Sequence, residues 1–578
     1  MSMHMASAQT EPSVEQLQHL AQHPTWQRLT FLQRGWPEIQ TADFYLSNNK
    51  KPTAEDELLK TLAAFESDEN LKCKFPARYY WLSTQLDLAY LQQGLGRCTH
   101  IPKTIEKMSV LLIGGYLKNP ASTFGHMLVR IDEIKDEHFL LSNSYNFGGQ
   151  IPENERGLVY AINGVIGKYP AVFANSNYYR NEAVYSRLEN RDIWEYQLNL
   201  TEEQKKLLTY HLDELTRFKF NYYFIKQNCA YRTAELLEFI DGVQLTKRIT
   251  PWYSPEYVIN EFIEISEENE VKLIDKIVFR PSDQTKLVEY FKDLPTHVRK
   301  QINQILISKK IDSLNAFSME QQDQIFYFLM KYTEMKYREN IEDKEYLNFR
   351  QVLLKERISR PATLKTVEPQ YITKKSPAAG PKPSKSGIRL GNELGLDFTL
   401  YQRDSLNEGT DLNMSFKILE AQYEHSKERN SFNIELLNVT KLVDLAYPLY
   451  GQQKLSWQLR TGIQSDTFDI RSSQHFAQIG FGGAHSFANL WMGYQLFALA
   501  LHDQDQHADV KSISGLLFKN EQWSGEISYE HIVREDDTAQ RFHATMRKNI
   551  SKNLDTRLHL SKQTYLKPQV SVGLNYYW

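Results

Sequence analysis

The chain has 578 residues, 41 % hydrophobic and 24 % charged, with a formal net charge of -3. A balance this close to neutral, with no basic block interleaved with aromatics, excludes a nucleic-acid footprint. The lack of any run of about 18 apolar residues excludes a membrane-spanning helix.

The start, "MSMHMASAQTEPSVEQ", has neither a positive n-region nor an apolar h-region. It reads as a cytosolic start or as a chain whose secretion signal has been trimmed. Residues 1–100 read as an amino-terminal helical domain, because "SVEQLQHLAQHPTWQRLTFL" and "AEDELLKTLAAFES" place apolar residues three and four apart. Two of the three cysteines, Cys73 and Cys98, lie in this region. In an oxidising compartment they could pair, leaving Cys229 as the lone thiol; the alternative is two buried free thiols. No cysteine belongs to a CxxC pair, so no structural metal is expected.

Residues 101–242 read as an α+β domain. "MSVLLIGGY", "TFGHMLVRIDEI" and "HFLLSNSYNFGG" are short, apolar or alternating, with turn residues between them, and predict strands. Helix returns at Thr201, which stands in capping-box spacing with Gln204. A second helix is expected from Cys229 to about Ile240. Residues 243–360 are mostly helical and charged, a spacer by default. Residues 361–386, "PATLKTVEPQYITKKSPAAGPKPSKS", are rich in Pro, Lys and Ser and read as a linker that cannot bury a core.

Residues 387–578 change style. In "WSGEISYEHIVR", Trp523, Gly525, Ile527, Tyr529, His531 and Val533 share one face; Ser524, Glu526, Ser528, Glu530 and Arg534 share the other. At the end, Val570, Val572, Leu574, Tyr576 and Trp578 alternate in the same way. Such strands, of about 10 residues each and joined by short turns, make roughly twelve, and with no helix to cover them they predict a closed antiparallel β-barrel in an outer membrane, with a soluble sandwich as the alternative. "SFNIELLNVTKLVDL" alternates poorly. "GFGGAH", from Gly480, has no phosphate-loop spacing and opens no helix, so no nucleotide and no other cofactor is expected.

The candidate chemistry centres on Cys229. It follows Asn228 at the first turn of a helix, where free N–H groups and the positive end of the dipole favour a thiolate. His126, after a small-residue turn at Ala121, Ser122, Thr123 and Gly125, is the candidate base. Asn146 or Ser144, then Asn143, on the next strand are candidates to orient the imidazole. His138, His211, His475 and His485 are set aside as structural. Asn228, or a donor in the Ser122–Thr123 turn, would help hold an oxyanion. Arg191 and Asp192 in "ENRDIWEY" read as a structural ion pair.

"NPASTFGHMLVRI", "SRLENRDIWEYQLNLTEEQ" and "FNYYFIKQNCAYRTAELLE", in that order, resemble the family called the Lnb N-terminal periplasmic domain. "CKFPARYYWL", and a linker followed by a β-rich domain, fit the same pattern. The resemblance implies a permuted papain-like fold of the NlpC kind, with catalytic His126 and Cys229; no third residue carries over. It also implies an activity class, lipoprotein N-acylation, for which a phospholipid is the expected acyl donor.

The expectation is therefore a periplasmic Cys–His acyltransferase anchored in a bacterial outer membrane. Outer-membrane lipid, a phospholipid, and a lipoprotein or peptidoglycan fragment are its partners. The rivals are a peptidoglycan amidase or peptidase using the same dyad, and a non-catalytic barrel protein whose periplasmic domain binds lipid or peptide.

Overall fold

The computed structural model describes residues 12–578 apart from 36, 40, 42, 103, 117–121, 134–138, 153–154, 156, 247–249, 251, 312–313, 342, 361–372, 393, 426–429, 452–453, 466–472, 488–489, 504–506, 536 and 565. The expected features at the amino-terminal start, Ala121, His138 and the first half of the linker lie outside the described residues. The chain divides into two compact units, Met1–Ser282 and Asp283–Trp578.

The first unit opens with five helices between Val14 and Gln85. Cys73 and Cys98 are joined in a disulfide with their Cα atoms 5.4 Å apart. Arg78, from "CKFPARYYWL", ties this helical part to the rest. Its fully buried guanidinium donates to Glu57 at 2.7 Å and to Glu214 at 3.1 Å, and to the Phe44 carbonyl at 3.0 Å. The rings of Phe44 and Phe75 lie 4.4 and 4.3 Å from it. Three hydrogen-bonded directions and two aromatic faces are what a buried guanidinium requires.

A seven-stranded antiparallel sheet forms the other half. Its strands are β1 (Ile105–Ile113), β2 (His126–Glu133), β3 (Asn143–Gly149), β4 (Tyr169–Asn177), β5 (Ile193–Leu198), β6 (Lys219–Tyr222) and β7 (Ile274–Arg280), in the order β6-β4-β3-β2-β1-β5-β7. The helix Glu202–Leu215 carries the Thr201–Gln204 capping box and buries Leu208, His211, Leu212 and Leu215. β7 falls in the stretch expected to be helical. Its edge position against β5 supplies the pairing that its mixed sequence, "IDKIVFR", does not advertise.

In the second unit, helices Asp283–Asp293, Thr296–Ser308, Met319–Glu339 and Lys344–Ser359 share one apolar core. Leu449, from a barrel loop, completes it. Asn303 donates to the Pro448 carbonyl at 2.8 Å and Tyr332 to the Tyr450 carbonyl at 2.5 Å. The helices are thus fixed to the barrel rather than spacing it.

Twelve antiparallel strands, from Lys385–Gly391 to Gln569–Tyr577, close into a barrel when the last pairs with the first. Ile479, Phe481, Phe497, Leu499, Leu501, Val572 and Leu574 are exposed on its outside. Glu526, Ser528, Glu530, Ser571 and Asn575 line a cavity of about 490 Å³ inside it. This apolar-out, polar-in alternation is that of an outer-membrane barrel. The poor alternation expected at "SFNIELLNVTKLVDL" has a cause: the register against the next strand slips between Glu435 and Leu437, a bulge at Leu436.

The lumen is laced with ion pairs, including Arg389 with Asp397 and Glu424, Lys417 with Glu420, and Arg541 with Glu530. At the end where the chain enters and leaves the barrel, the loop 404–413 turns inward. Leu406 joins Leu442, Leu496, Ile513 and Leu517 in an apolar cluster. The Lys519 ammonium donates to the carbonyls of Ser405, Asn407 and Thr410. Arg547 donates to Asn407 Oδ1 at 2.6 Å. Residues 373–384, expected to be plain linker, pack over this loop: Ser376, Ala378, Lys382 and Ser384 are buried. Lys374 and Lys375 pair with Asp411 and Glu408. A segment with no core of its own is buried by borrowing that of the barrel mouth.

Candidate active site

β1 ends at Ile113, whose cross-strand partner is His126 at the start of β2. In the turn before it, the Ser122 carbonyl accepts from the N–H groups of Tyr116 at 2.9 Å and Gly125 at 3.1 Å. Gly125 has φ +93°, and a Cβ there would stand 2.8 Å from the Ile113 carbonyl oxygen. Only glycine allows the chain to enter β2 at this angle. Ser122 and Thr123 are part-exposed in the same turn.

The helix Cys229–Leu237 begins at its cysteine. Asn228 is the N-cap. Its Oδ1 accepts from the Tyr231 N–H at 3.0 Å, and its Nδ2 donates to the carbonyls of Phe224 at 3.1 Å and Tyr253 at 2.7 Å. The Asn228 amide hydrogens expected to serve an oxyanion are therefore engaged in fixing the loop. The donors left at this helix end are backbone N–H groups.

Cys229, 5 % exposed, meets His126 across the sheet end. His126 Nε2 stands 2.6 Å from Asn146 Oδ1, which leaves Nδ1 for the sulfur. Strand register explains the choice of Asn146. It lies opposite Leu128, diagonal to His126, whereas Ser144 lies opposite Arg130 and Asn143 opposite Ile131. Ser144 is bound instead to the Ser176 carbonyl and to Asn181, and Asn143 to Glu133.

The electrostatics of the pair are set by each partner. Burial pushes the Cys229 thiol up, but the charge and hydrogen bond of His126, with the N–H groups of Met127 and Ala230, bring it below the ordinary thiol range. Burial disfavours the His126 imidazolium, yet the charge of Cys229 and its hydrogen bond hold the ring above its ordinary value, with Arg191 opposing. The two shifts favour a thiolate–imidazolium pair.

Two groups that the sequence reading leaves out of the site lie around the dyad, Tyr185, which nothing in the sequence marks, and Arg191, read there as half of an ion pair with Asp192. Tyr185 accepts from Asn146 Nδ2 at 3.3 Å, and its ring lies 5.7 Å from that of His126. Burial pushes its hydroxyl up to about 12, so it is a neutral phenol at physiological pH. Arg191 donates to the Gly114 carbonyl at 2.6 Å and pairs with Glu189 at 2.7 Å, its guanidinium 5.2 Å from the Tyr185 ring. Its acid partner is Glu189; Asp192 accepts from the Ser282 N–H. Tyr185 lies in a π-helix, Ala183–Leu188, a break in helical period that the sequence does not announce.

On the other flank, Tyr222 is buried beside Cys229. Phe224 packs 5.8 Å from it and 4.9 Å from Tyr160 of the helix Gly157–Val165. His211 is buried between Phe31 and Phe239, and His475 pairs with Asp503 on the barrel.

Residues 104–261 match the family model described as the Lnb N-terminal periplasmic domain. Residues 18–85 match a domain of unknown function, DUF7843. No curated protein matches the chain. Among solved structures, the chain is similar to the KdgM porin, with 6 % identity, 34 % of this chain and 98 % of that chain covered and a TM-score of 0.24. It is similar also to the NanC porin, with 7 % identity, the same coverage and a TM-score of 0.24. The outer-membrane protein OmpT of Vibrio cholerae shares 9 % identity over 34 % of this chain and 97 % of that chain, with a TM-score of 0.19.

Proposed function

Starting from a segment that matches a periplasmic-domain family and a barrel that lies in the outer membrane, we propose that the chain is a papain-like cysteine acyltransferase acting through a thioester on Cys229. The observation that carries this is the order Cys229, His126, Asn146: a thiol, a base against it, and an amide oxygen fixing the base from behind. On this reading the enzyme domain begins near 101, as expected, but runs past 242 to β7, whose pairing with β5 completes its sheet, and the helices before it are its support.

His126 takes the proton of Cys229. The thiolate attacks the carbonyl of an acyl ester, and backbone N–H groups at the start of the helix stabilise the oxyanion. As the tetrahedral intermediate collapses, His126 returns the proton to the leaving alcohol, and the acyl chain stays on sulfur. An amine then attacks the thioester, His126 accepts its proton, and the amide leaves with the thiolate restored. The aromatic group of Tyr222, Phe224 and Tyr160 beside the thiol suits an acyl chain better than a glycan. A phospholipid donor and a lipoprotein amino terminus as acceptor fit this chemistry.

Mass spectrometry of the full-length protein after incubation with phospholipid tests the reading. The expected result is a fatty-acyl increment on the peptide containing Cys229, absent from Cys229→Ser. Release of peptidoglycan fragments without that increment would establish the hydrolase instead. Full biological activity of Cys229→Ser would leave only a binding domain on a barrel.

A further inference from the structure

Six of the exposed large apolar side chains of the first unit lie on two segments that pack toward the dyad. On the helix Gly157–Val165 and just after it, Val159, Ile162, Val165 and Ile166 are 45, 52, 49 and 51 % exposed. On the opposite flank, Val184 and Leu188 of the π-helix are 41 and 51 % exposed. Both segments are wired to the reacting groups. The first is fixed by the Phe224 N–H donating to the Gly164 carbonyl at 2.9 Å, with Phe224 against Tyr222 and Tyr222 against Cys229. The second carries Tyr185, which holds Asn146 and faces His126. The dyad is thus flanked on two sides by apolar surface that the described protein does not cover.

We propose that these two segments form a bilayer-docking surface that seats the active site on the membrane leaflet. Three observations select a lipid surface as the occupant. The same chain is threaded into a bilayer by its barrel, so a membrane is always within reach of this unit. Exposed Lys168 follows Ile166 by two residues and exposed Arg180 precedes Val184 by four, cations of the kind that pair with lipid headgroups. Phe224 and Tyr222 carry apolar packing from the exposed helix to the sulfur, so the side of the thiol that faces this helix is apolar. The inference deepens the acyltransferase reading and rests on it for its purpose, but not for its test.

The test uses the full chain in proteoliposomes in a Cys229→Ser background. Ile162→Cys, Leu188→Cys and, as a control on another exposed apolar residue, Val271→Cys are each labelled with a fluorophore. Lipids carrying a spin label near the headgroup should quench positions 162 and 188 and leave 271 bright. Equal quenching at all three, or at none, overturns the proposal. So does protection of 162 and 188 that depends on protein density rather than lipid, which would assign the face to a second copy. With Cys229 present, Ile162→Glu with Leu188→Glu should slow acylation from vesicle phospholipid by about tenfold or more, since each half-exposed side chain forgoes about half of a full burial in lipid. Acylation of Cys229 by a soluble short-chain ester should be unchanged. Loss of both reactions means a disturbed fold, and the quenching result then decides. Quenching without any acylation would keep the docking surface and sink the enzyme.

Discussion

At the scale of single residues, the dyad makes a pH prediction with a definite sign. Cys229 is held below the ordinary thiol range and His126 above its own, chiefly by each other against the cost of burial. The thiolate is therefore present at pH values where a free cysteine is still protonated. Alkylation by iodoacetamide should rise with pH earlier than for a free thiol and then level off. In His126→Ala the favourable charge is gone and burial remains, so the rise should move to the alkaline side, with acyl transfer down about 10²–10⁴-fold. Asn146→Ala removes one hydrogen bond from the ring and should cost about tenfold, with the onset shifted less. Gly125→Ala should impair the same reaction from outside the dyad, because its Cβ would meet the Ile113 carbonyl at 2.8 Å in a left-handed backbone. A cost of about 1–3 kcal/mol, read as a lowered unfolding midpoint, is expected. Much of this neighbourhood was visible in the sequence as motifs: a glycine before a histidine at a strand start, and a capped cysteine at a helix start. The share of labour was not. Only register distinguishes Asn146 from Ser144 and Asn143, and only the cap geometry shows that Asn228 has no hydrogen left to give.

Among the elements, the Arg78 cluster shows how the helical segment serves the site. It joins the third and fifth helices to Glu202–Leu215 through charges that see no solvent. Arg78→Met leaves Glu57 and Glu214 buried without their cation, at a cost of about 3–5 kcal/mol. Thermal unfolding of the first unit should fall accordingly, while the barrel keeps its resistance to detergent. The elements most legible in sequence were those with an uninterrupted period, such as the capped helix after Thr201 and the strands Trp523–Arg534 and Gln569–Tyr577. Those missed owe their state to a neighbour. β7 is a strand because β5 offers an edge, the bulge at Leu436 blurs the alternation of its strand, and Ala378 is buried because the barrel mouth receives it. Tertiary context overrides local pattern at each of these points.

For the whole molecule, the barrel's mouth is the feature with the widest reach. The loop 404–413 is held inside by the Lys519 ammonium on three carbonyls and by Arg547 on Asn407, with Leu406 seated in an apolar cluster. Replacing both cations, Lys519→Met with Arg547→Met, should free the loop. Planar-bilayer recordings should then show a larger conductance than the parent protein's, and cells should become more sensitive to large hydrophilic antibiotics. A bacterium depends on its outer envelope as a sieve, and every unstoppered pore erodes that defence. A loop pinned inside the mouth narrows the way through this barrel, so each added copy should make the envelope less leaky than an open barrel of equal strand number would.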